Sequence, residues 1–189
     1  MSLPNVVRGR CVVVGDSTAG KTALVQVFLS DGSDFPKNYN MTFTVELHQK
    51  QVRIPDTAES VELFIYDCSG KDIYRDVLQS VLNPNLAIIV YDVTNEKSFQ
   101  AASEWHKFIR ETKKDKTTLP GVLMGCKTDL TERRLISPKE GNDLANKLGF
   151  VYMECSAKDN QNIDDAFFYL ANEWHKMYSN GVNATLNAA

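Results

Sequence analysis

An α/β fold is predicted for this chain: a six-stranded, mostly parallel sheet with helices on both faces and one antiparallel edge strand. Three observations predict it. Short apolar runs alternate with segments of helical period along nearly the whole length, the pattern of parallel strands connected through helices. The first apolar run empties directly into a glycine-rich turn and then a helix pattern. The stretch 42–54 returns through Pro55-Asp56-Thr57-Ala58-Glu59-Ser60 into the next apolar run, which reads as a hairpin turned by Pro and Asp.

In chain order the apolar strand runs are 11–14, 61–66, 86–93, 122–124 and 150–153, and the hairpin stretch 42–54 supplies the remaining strand. Segments of helical period lie between them at 22–30, 73–82, 98–112, 138–148 and 163–178. The last helix carries Ile163, Ala166, Phe167, Leu170, Ala171, Trp174 and Tyr178 at helical spacing, a stripe expected to face the core. Lys113-Lys114-Asp115-Lys116 reads as the solvated end of a helix, where cations suit the dipole. Residues 1–178 read as one domain, and 179–189, polar and small, as a disordered tail.

The 189 residues suit one well-buried domain and are too few for two comfortable ones. A hydrophobic content of 43% with 24% charged residues places the chain among ordinary globular proteins. The net charge of −3 argues against non-specific nucleic-acid binding. Met1-Ser2-Leu3-Pro4-Asn5 has neither the basic nor the apolar region of a signal peptide, and no apolar run approaches the ~20 residues of a membrane span. Cys11, Cys68, Cys126 and Cys155 include no C-x-x-C pair; three sit in or at the end of apolar runs, which is core usage in a reducing compartment. His48, His106 and His175 have no metal-ligand spacing and read as surface or half-buried residues.

Chemistry concentrates where the strand runs end. Cys11-Val12-Val13-Val14 leads into Gly15-Asp16-Ser17-Thr18-Ala19-Gly20-Lys21-Thr22, which fills every fixed position of G-x-x-x-x-G-K-T. Glycines let the backbone wind tightly enough to aim successive N–H groups at phosphate oxygens. Lys21 brings a counter-charge for the β/γ-phosphates, Thr22 a hydroxyl for Mg²⁺, and the following helix its positive N-terminus. Asp67-Cys68-Ser69-Gly70 follows the run 61–66. A carboxylate there is placed to serve the same metal, and Gly70 lets its N–H approach a γ-phosphate. Cys126-Lys127-Thr128-Asp129 and Ser156-Ala157-Lys158 follow the last two strand runs. Loops at the carboxyl ends of parallel strands converge on one sheet edge, where ligands bind in open α/β folds.

With these motifs in this order, the chain resembles the Ras superfamily of small GTPases, of the Rab-like kind, over essentially its whole length. The resemblance implies a P-loop small-GTPase domain that takes GTP or GDP with Mg²⁺. By it, Asp129 would bond the guanine N–H groups, Lys127 would pack over the ring, and the Ala157 N–H would reach the guanine carbonyl. Ser156 and Lys158 would support that pocket, beside Cys126. Phe35 and Tyr39 lead to Thr42 with the spacing of the first switch. Phe35 would lie edge-on to the base, and Thr42 would join Thr22 and Asp67 on the metal.

A narrower resemblance joins residues 54–67, Tyr39-Asn40-Met41-Thr42, Gly70-Lys71-Asp72, Asn83-Pro84-Asn85 and Leu119-Pro120-Gly121-Val122-Leu123 to the Rab-like subunits of intraflagellar transport B complexes. It implies a component of cytoplasm and cilium or flagellum that pairs with a small β-sandwich protein within a larger complex. Three departures qualify the pattern. Ser17 stands where many Ras proteins carry glycine, Lys71 stands where the family has the glutamine that orients the attacking water, and Cys126 replaces the asparagine of N-K-x-D. No catalytic residue is therefore assigned, and slow hydrolysis is expected. The final Leu186-Asn187-Ala188-Ala189 has no cysteine to prenylate, so no lipid anchor is expected. The alternatives are a conventional Rab-type switch in vesicle traffic and an unrelated P-loop kinase or ATPase; Asp129 and Ser156-Ala157-Lys158 count against the last.

Overall fold

The computed structural model describes residues 6–38, 40–115 and 117–187, with side chains as far as 181. Tyr39, Lys116 and residues 1–5 lie outside the described residues. Strand β1 (Val6–Val14) sits inside the sheet, parallel to β3 (Ser60–Cys68) on one side and to β4 (Leu86–Asp92) on the other. Strands β5 (Gly121–Cys126) and β6 (Val151–Cys155) continue the parallel side, and β2 (Val45–Arg53) pairs antiparallel with β3 at the opposite edge. The order is β2-β3-β1-β4-β5-β6, as the predicted fold class requires. Because the strand order reverses at β1, with β3 on one side and β4 on the other, a crevice opens beyond its carboxyl end.

Alternation along β1 feeds two cores. Cys11 and Val13 pack with Leu24 and Phe28 of α1 (Lys21–Leu29) and with Phe167 and Leu170 of α5 (Ile163–Asn187). Val12 and Val14 join Leu78 of α2 (Arg75–Val81), Trp105 and Ile109 of α3 (Glu96–Thr112), and Ala145 of α4 (Pro138–Leu148). Phe28 and Phe167 stack with ring centroids 3.8 Å apart, both without exposed surface. Each such ring contributes about 1.5–3 kcal/mol by leaving water.

Several boundaries differ from the sequence expectation, each for a local reason. The first expected turn of the second helix, 73–82, is a 3-10 turn at Asp72–Tyr74 ahead of α2; Ile73 is 79% exposed, so no core contact draws that turn into the α-helix. Helix α5 continues past 178 to Asn187, through residues expected to be an irregular tail. That stretch contains no proline, and extending an existing helix is far less costly than starting one. Its core stripe ends earlier: Ile163, Ala166, Phe167, Leu170 and Ala171 are buried, while Tyr178 is exposed. Lys113, expected to be solvated, has a buried side chain and an ion pair of 2.8 Å with Asp115. By contrast, α4 spans the expected residues. Ser137 and Glu140 form a reciprocal capping box, Pro138 opens the first turn, and left-handed Gly149 closes the helix. Among the described residues no helix is long and apolar enough to cross a membrane.

Candidate functional site

A cleft of about 380 Å³ opens at the carboxyl edge of the sheet, walled by the β1–α1 loop, residues 35–42 and the loop after β3. The β1–α1 loop can wind there because of glycine. Gly15 has φ +142, and a Cβ on it would lie 2.1 Å from the Val90 carbonyl oxygen. Gly70 is held as tightly: its Cβ would stand 2.3 Å from the Ser17 nitrogen. The two glycine loops therefore meet backbone to backbone. Helix α1 begins at Gly20 with no side-chain cap, so its first-turn N–H groups are not taken by a capping side chain.

Lys21 lies across this loop. Its Nζ donates to the carbonyls of Gly15 at 2.9 Å and Asp16 at 2.8 Å. Burial lowers its pKa, opposed by the negative charge of Asp67. An ammonium has three donors, so one N–H remains beyond those two bonds. Beside it, Thr22 Oγ1 donates to Asp67 Oδ2 at 2.6 Å and lies 2.9 Å from Thr42 Oγ1. Asp67 Oδ1 is buried with no hydrogen-bond partner among the described residues. Burial raises the Asp67 pKa, while the Thr22 bond and Lys21 pull it down. Two hydroxyls and one carboxylate with a free oxygen make a hard, oxygen-only donor set, which suits Mg²⁺ completed by water and phosphate oxygens. Among the described residues no cluster of three or more His, Cys, Asp or Glu offers a different metal centre.

The other sequence-predicted residues divide by what their side chains touch. Ser17, Thr18, Gly20, Phe35, Gly70 and Lys127 line the cleft, and Phe35 is exposed there. The Asp16 carboxylate instead accepts the Trp105 indole N–H at 3.0 Å, and Ala19 is buried in the α1/α5 core. Neither is among the residues that line the cleft. Lys127 has φ +69, and its Nζ donates to Asp92 Oδ2 at 2.7 Å. Beyond it, Asp129 Oδ1 accepts the Ser156 hydroxyl at 2.8 Å, with Lys158 Nζ 3.8 Å from Oδ2. The turn after β6 that carries Ala157 is closed by paired backbone bonds between Ser156 and Gln161. Cys126 is buried with its Sγ 3.3 Å from Cys155 Sγ. That contact and burial push its thiol pKa up.

Some residues of this region were not singled out from sequence. Gln26 and Asn38 also line the cleft, and nothing in their pattern distinguishes them from ordinary surface residues; Asn40 and Met41 line it too, having entered the sequence reading only within the 39–42 resemblance and with no role assigned. Asp92 was legible: it ends an apolar run just as Asp67 does, and it holds Lys127.

Residues 10–176 match the Ras family. The chain belongs to the Ras family. Its similar relatives share one description. It is 45% identical over 170 residues to the intraflagellar transport protein 27 homolog of Bos taurus, covering 89% of this chain and 91% of that one. It is 42% identical to the Homo sapiens homolog, with the same two shares covered. It is 34% identical over 185 residues to intraflagellar transport protein 27 of Chlamydomonas reinhardtii, covering 96% of this chain and 91% of that one. As a Ras-family member the chain carries a fold that implies guanine-nucleotide binding, and the β1–α1 loop and the Asp129 cluster both follow the carboxyl ends of parallel strands.

Proposed function

We propose that this Rab-like protein is a guanine-nucleotide-binding subunit of the intraflagellar transport machinery. It acts as a GTP-dependent assembly or switch module with slow intrinsic hydrolysis. The observation that carries the nucleotide reading is Asp67 Oδ1, a buried oxygen with no partner, set among the Thr22 and Thr42 hydroxyls and Lys21. A buried acceptor left unpaired costs free energy, and a phosphate-bound cation would satisfy it. Mg²⁺, when bound, would neutralise charge on the β/γ-phosphates. Lys21 and the first-turn N–H groups of α1 would hold the phosphate oxygens. Asp129, steadied by Ser156, would accept the guanine N–H groups, with Lys127 over the base and the Ala157 N–H on its carbonyl.

The relatives' names support the transport assignment. They point to protein partners, for which we propose a small β-sandwich subunit as heterodimer within a larger assembly. The place of work follows as the cilium or flagellum, supplied from the cytoplasm. Slow hydrolysis follows from Lys71, an exposed residue at the position of the water-orienting glutamine. Its ammonium has donors only and cannot accept a hydrogen bond from water.

Thermal unfolding tests the nucleotide reading. GDP with Mg²⁺ at a hundred times its Kd should stabilise the protein by about 2.7 kcal/mol. ADP at the same concentration should leave the midpoint unchanged, and a chelator should remove most of the GDP effect. Equal stabilisation by ADP overturns the guanine assignment.

A further inference from the structure

We propose that the sheet carries a second binding site, toward the amino-terminal end of β1, for an acidic, extended segment of a protein partner, whose carboxylate pairs with Arg10. The site is a cavity of about 470 Å³ lined by Arg8, Arg10, Phe64, Tyr66, Asn85 and Trp174. It shares no lining residue with the nucleotide cleft.

The register explains why these residues meet. Arg8 and Arg10 are paired with Glu62 and Phe64 of the neighbouring strand. On the far side of β3, Phe64 and Tyr66 face Gln49 and Leu47 of β2. Residues two apart on a strand share a face, so Arg8, Arg10, Glu62, Phe64, Tyr66, Leu47 and Gln49 form one surface. Leu47 is 58% exposed on it. At its lower margin Trp174 of α5 closes over Gly9, donating its indole N–H to the Arg8 carbonyl at 2.8 Å. The space exists because position 9 is glycine: a Cβ there would stand 3.0 Å from the Trp174 ring.

The two arginines are in different states. Arg8 is satisfied, with Nε 2.9 Å from Glu62 Oε2. Arg10 is not: among the described residues its buried Nε has no hydrogen-bond partner, and no carboxylate pairs with it. Its backbone exchanges bonds with Asn85, which fixes the point from which the side chain projects into the cavity. A buried guanidinium N–H lacking an acceptor is a standing cost. A planar carboxylate is the ligand whose geometry matches the guanidinium fork.

Three aromatic rings beside one unpaired cation suit an acidic residue flanked by apolar side chains, as a peptide presents it. Arg8, already neutralised by Glu62, leaves one free charge, enough for one carboxylate.

The test uses the whole chain loaded with GDP and follows the Arg10 Nε–Hε signal by ¹⁵N NMR, assigned by its loss in Arg10→Gln. The probe is the peptide acetyl-Leu-Glu-Phe-amide, compared with its glutamine analogue and with sodium phosphate at equal concentration. A saturable shift of the Arg10 signal is expected with the acidic peptide. Binding should be about tenfold weaker for the glutamine analogue or for Arg10→Gln, as loss of one charge-assisted bond implies. GDP affinity should be the same in Arg10→Gln and wild type, which shows that the variant is folded. No shift with the acidic peptide, or an equal shift with the glutamine analogue, overturns the proposal. An equal response to phosphate overturns the peptide as its source. Should Arg10→Gln not fold, Arg10→Lys supplies the assignment and the three-ligand comparison on the wild type decides the matter alone.

Discussion

Lys21 is pinned by two carbonyls of its own loop before any anion arrives. That fixes where its charge sits, and its burial makes the charge count, because nearby water is scarce. Lys21→Ala removes both the loop clasp and the counter-charge. The variant should purify without nucleotide or bind GDP at least tenfold more weakly, since a charged hydrogen bond contributes about 1.5–3 kcal/mol. Equilibrium titration with a fluorescent GDP checks this, and unchanged affinity would refute the phosphate-loop assignment. Cys126 poses a different question. Its thiol rests on Cys155 rather than on a polar group, and a thiol is a weak hydrogen-bonding partner. Cys126→Asn should slow GDP release by about tenfold or less, one neutral bond's worth. The bulkier amide also crowds Cys155, which has no exposed surface. The single variant should therefore lose about 1–3 kcal/mol of stability, and Cys126→Asn with Cys155→Ala should recover part of it. Off-rate and melting temperature, measured on both variants, separate the two effects.

At the scale of elements, the loop after β5 is tied to β6 by a fork. Arg134 donates to both oxygens of Glu154, at 2.7 and 2.8 Å, and to the Ile136 carbonyl at 3.1 Å. The Tyr152 hydroxyl donates to the same carboxylate, and Tyr91 reaches Tyr152 at 3.1 Å. Glu154 immediately precedes Cys155 and Ser156, so the fork steadies both loops that carry the Asp129 cluster. Burial would raise the Glu154 pKa, but Arg134 and Tyr152 outweigh it and hold the carboxyl below the usual range. A depressed carboxylate stabilises the fold above its unfolded pKa, and the contribution is lost as pH falls through the folded value. Arg134→Gln should thus cost about 1.5–3 kcal/mol at pH 7, and the gap to wild type should narrow in acid, below the ordinary glutamate range. Denaturant melts across pH measure it; a gap independent of pH would mean the fork carries no net charge interaction.

For the molecule as a whole, the rate of hydrolysis decides between an assembly module and a cycling switch. Gly70 lies against Ser17, and the next residue, Lys71, is exposed beside the cleft. A reference Ras with its glutamine turns over at only about 3–5 × 10⁻⁴ s⁻¹ unaided. Single-turnover hydrolysis by this protein should be no faster, and Lys71→Gln should raise the rate or leave it unchanged. A much faster wild-type rate that disappears in Lys71→Ala would make Lys71 itself catalytic. At a rate no faster than the reference, GTP once bound persists for tens of minutes unaided, so occupancy acts as a state rather than a rapid cycle.

Local pattern alone determined the strand–helix alternation, the antiparallel edge hairpin and the glycine loops, because each is written within a few neighbouring residues. Helix α4 is the clearest case: Ser137, Pro138, Glu140 and Gly149 specify both its ends through bonds no longer than one helical turn. The phosphate loop was equally legible, since its fixed residues act on one another across a few positions. Tertiary structure decided what side chains do across the sheet. That Asp16 turns to Trp105 rather than the cleft, that Asp92 holds Lys127, and that Cys126 meets Cys155 depend on residues 89, 35 and 29 positions apart. No periodicity encodes such distances; they are set when strands align in register. Arg10 is the sharpest example, because an arginine in a strand is silent in sequence, and only the packed sheet reveals a buried Nε for which no described residue supplies an acceptor.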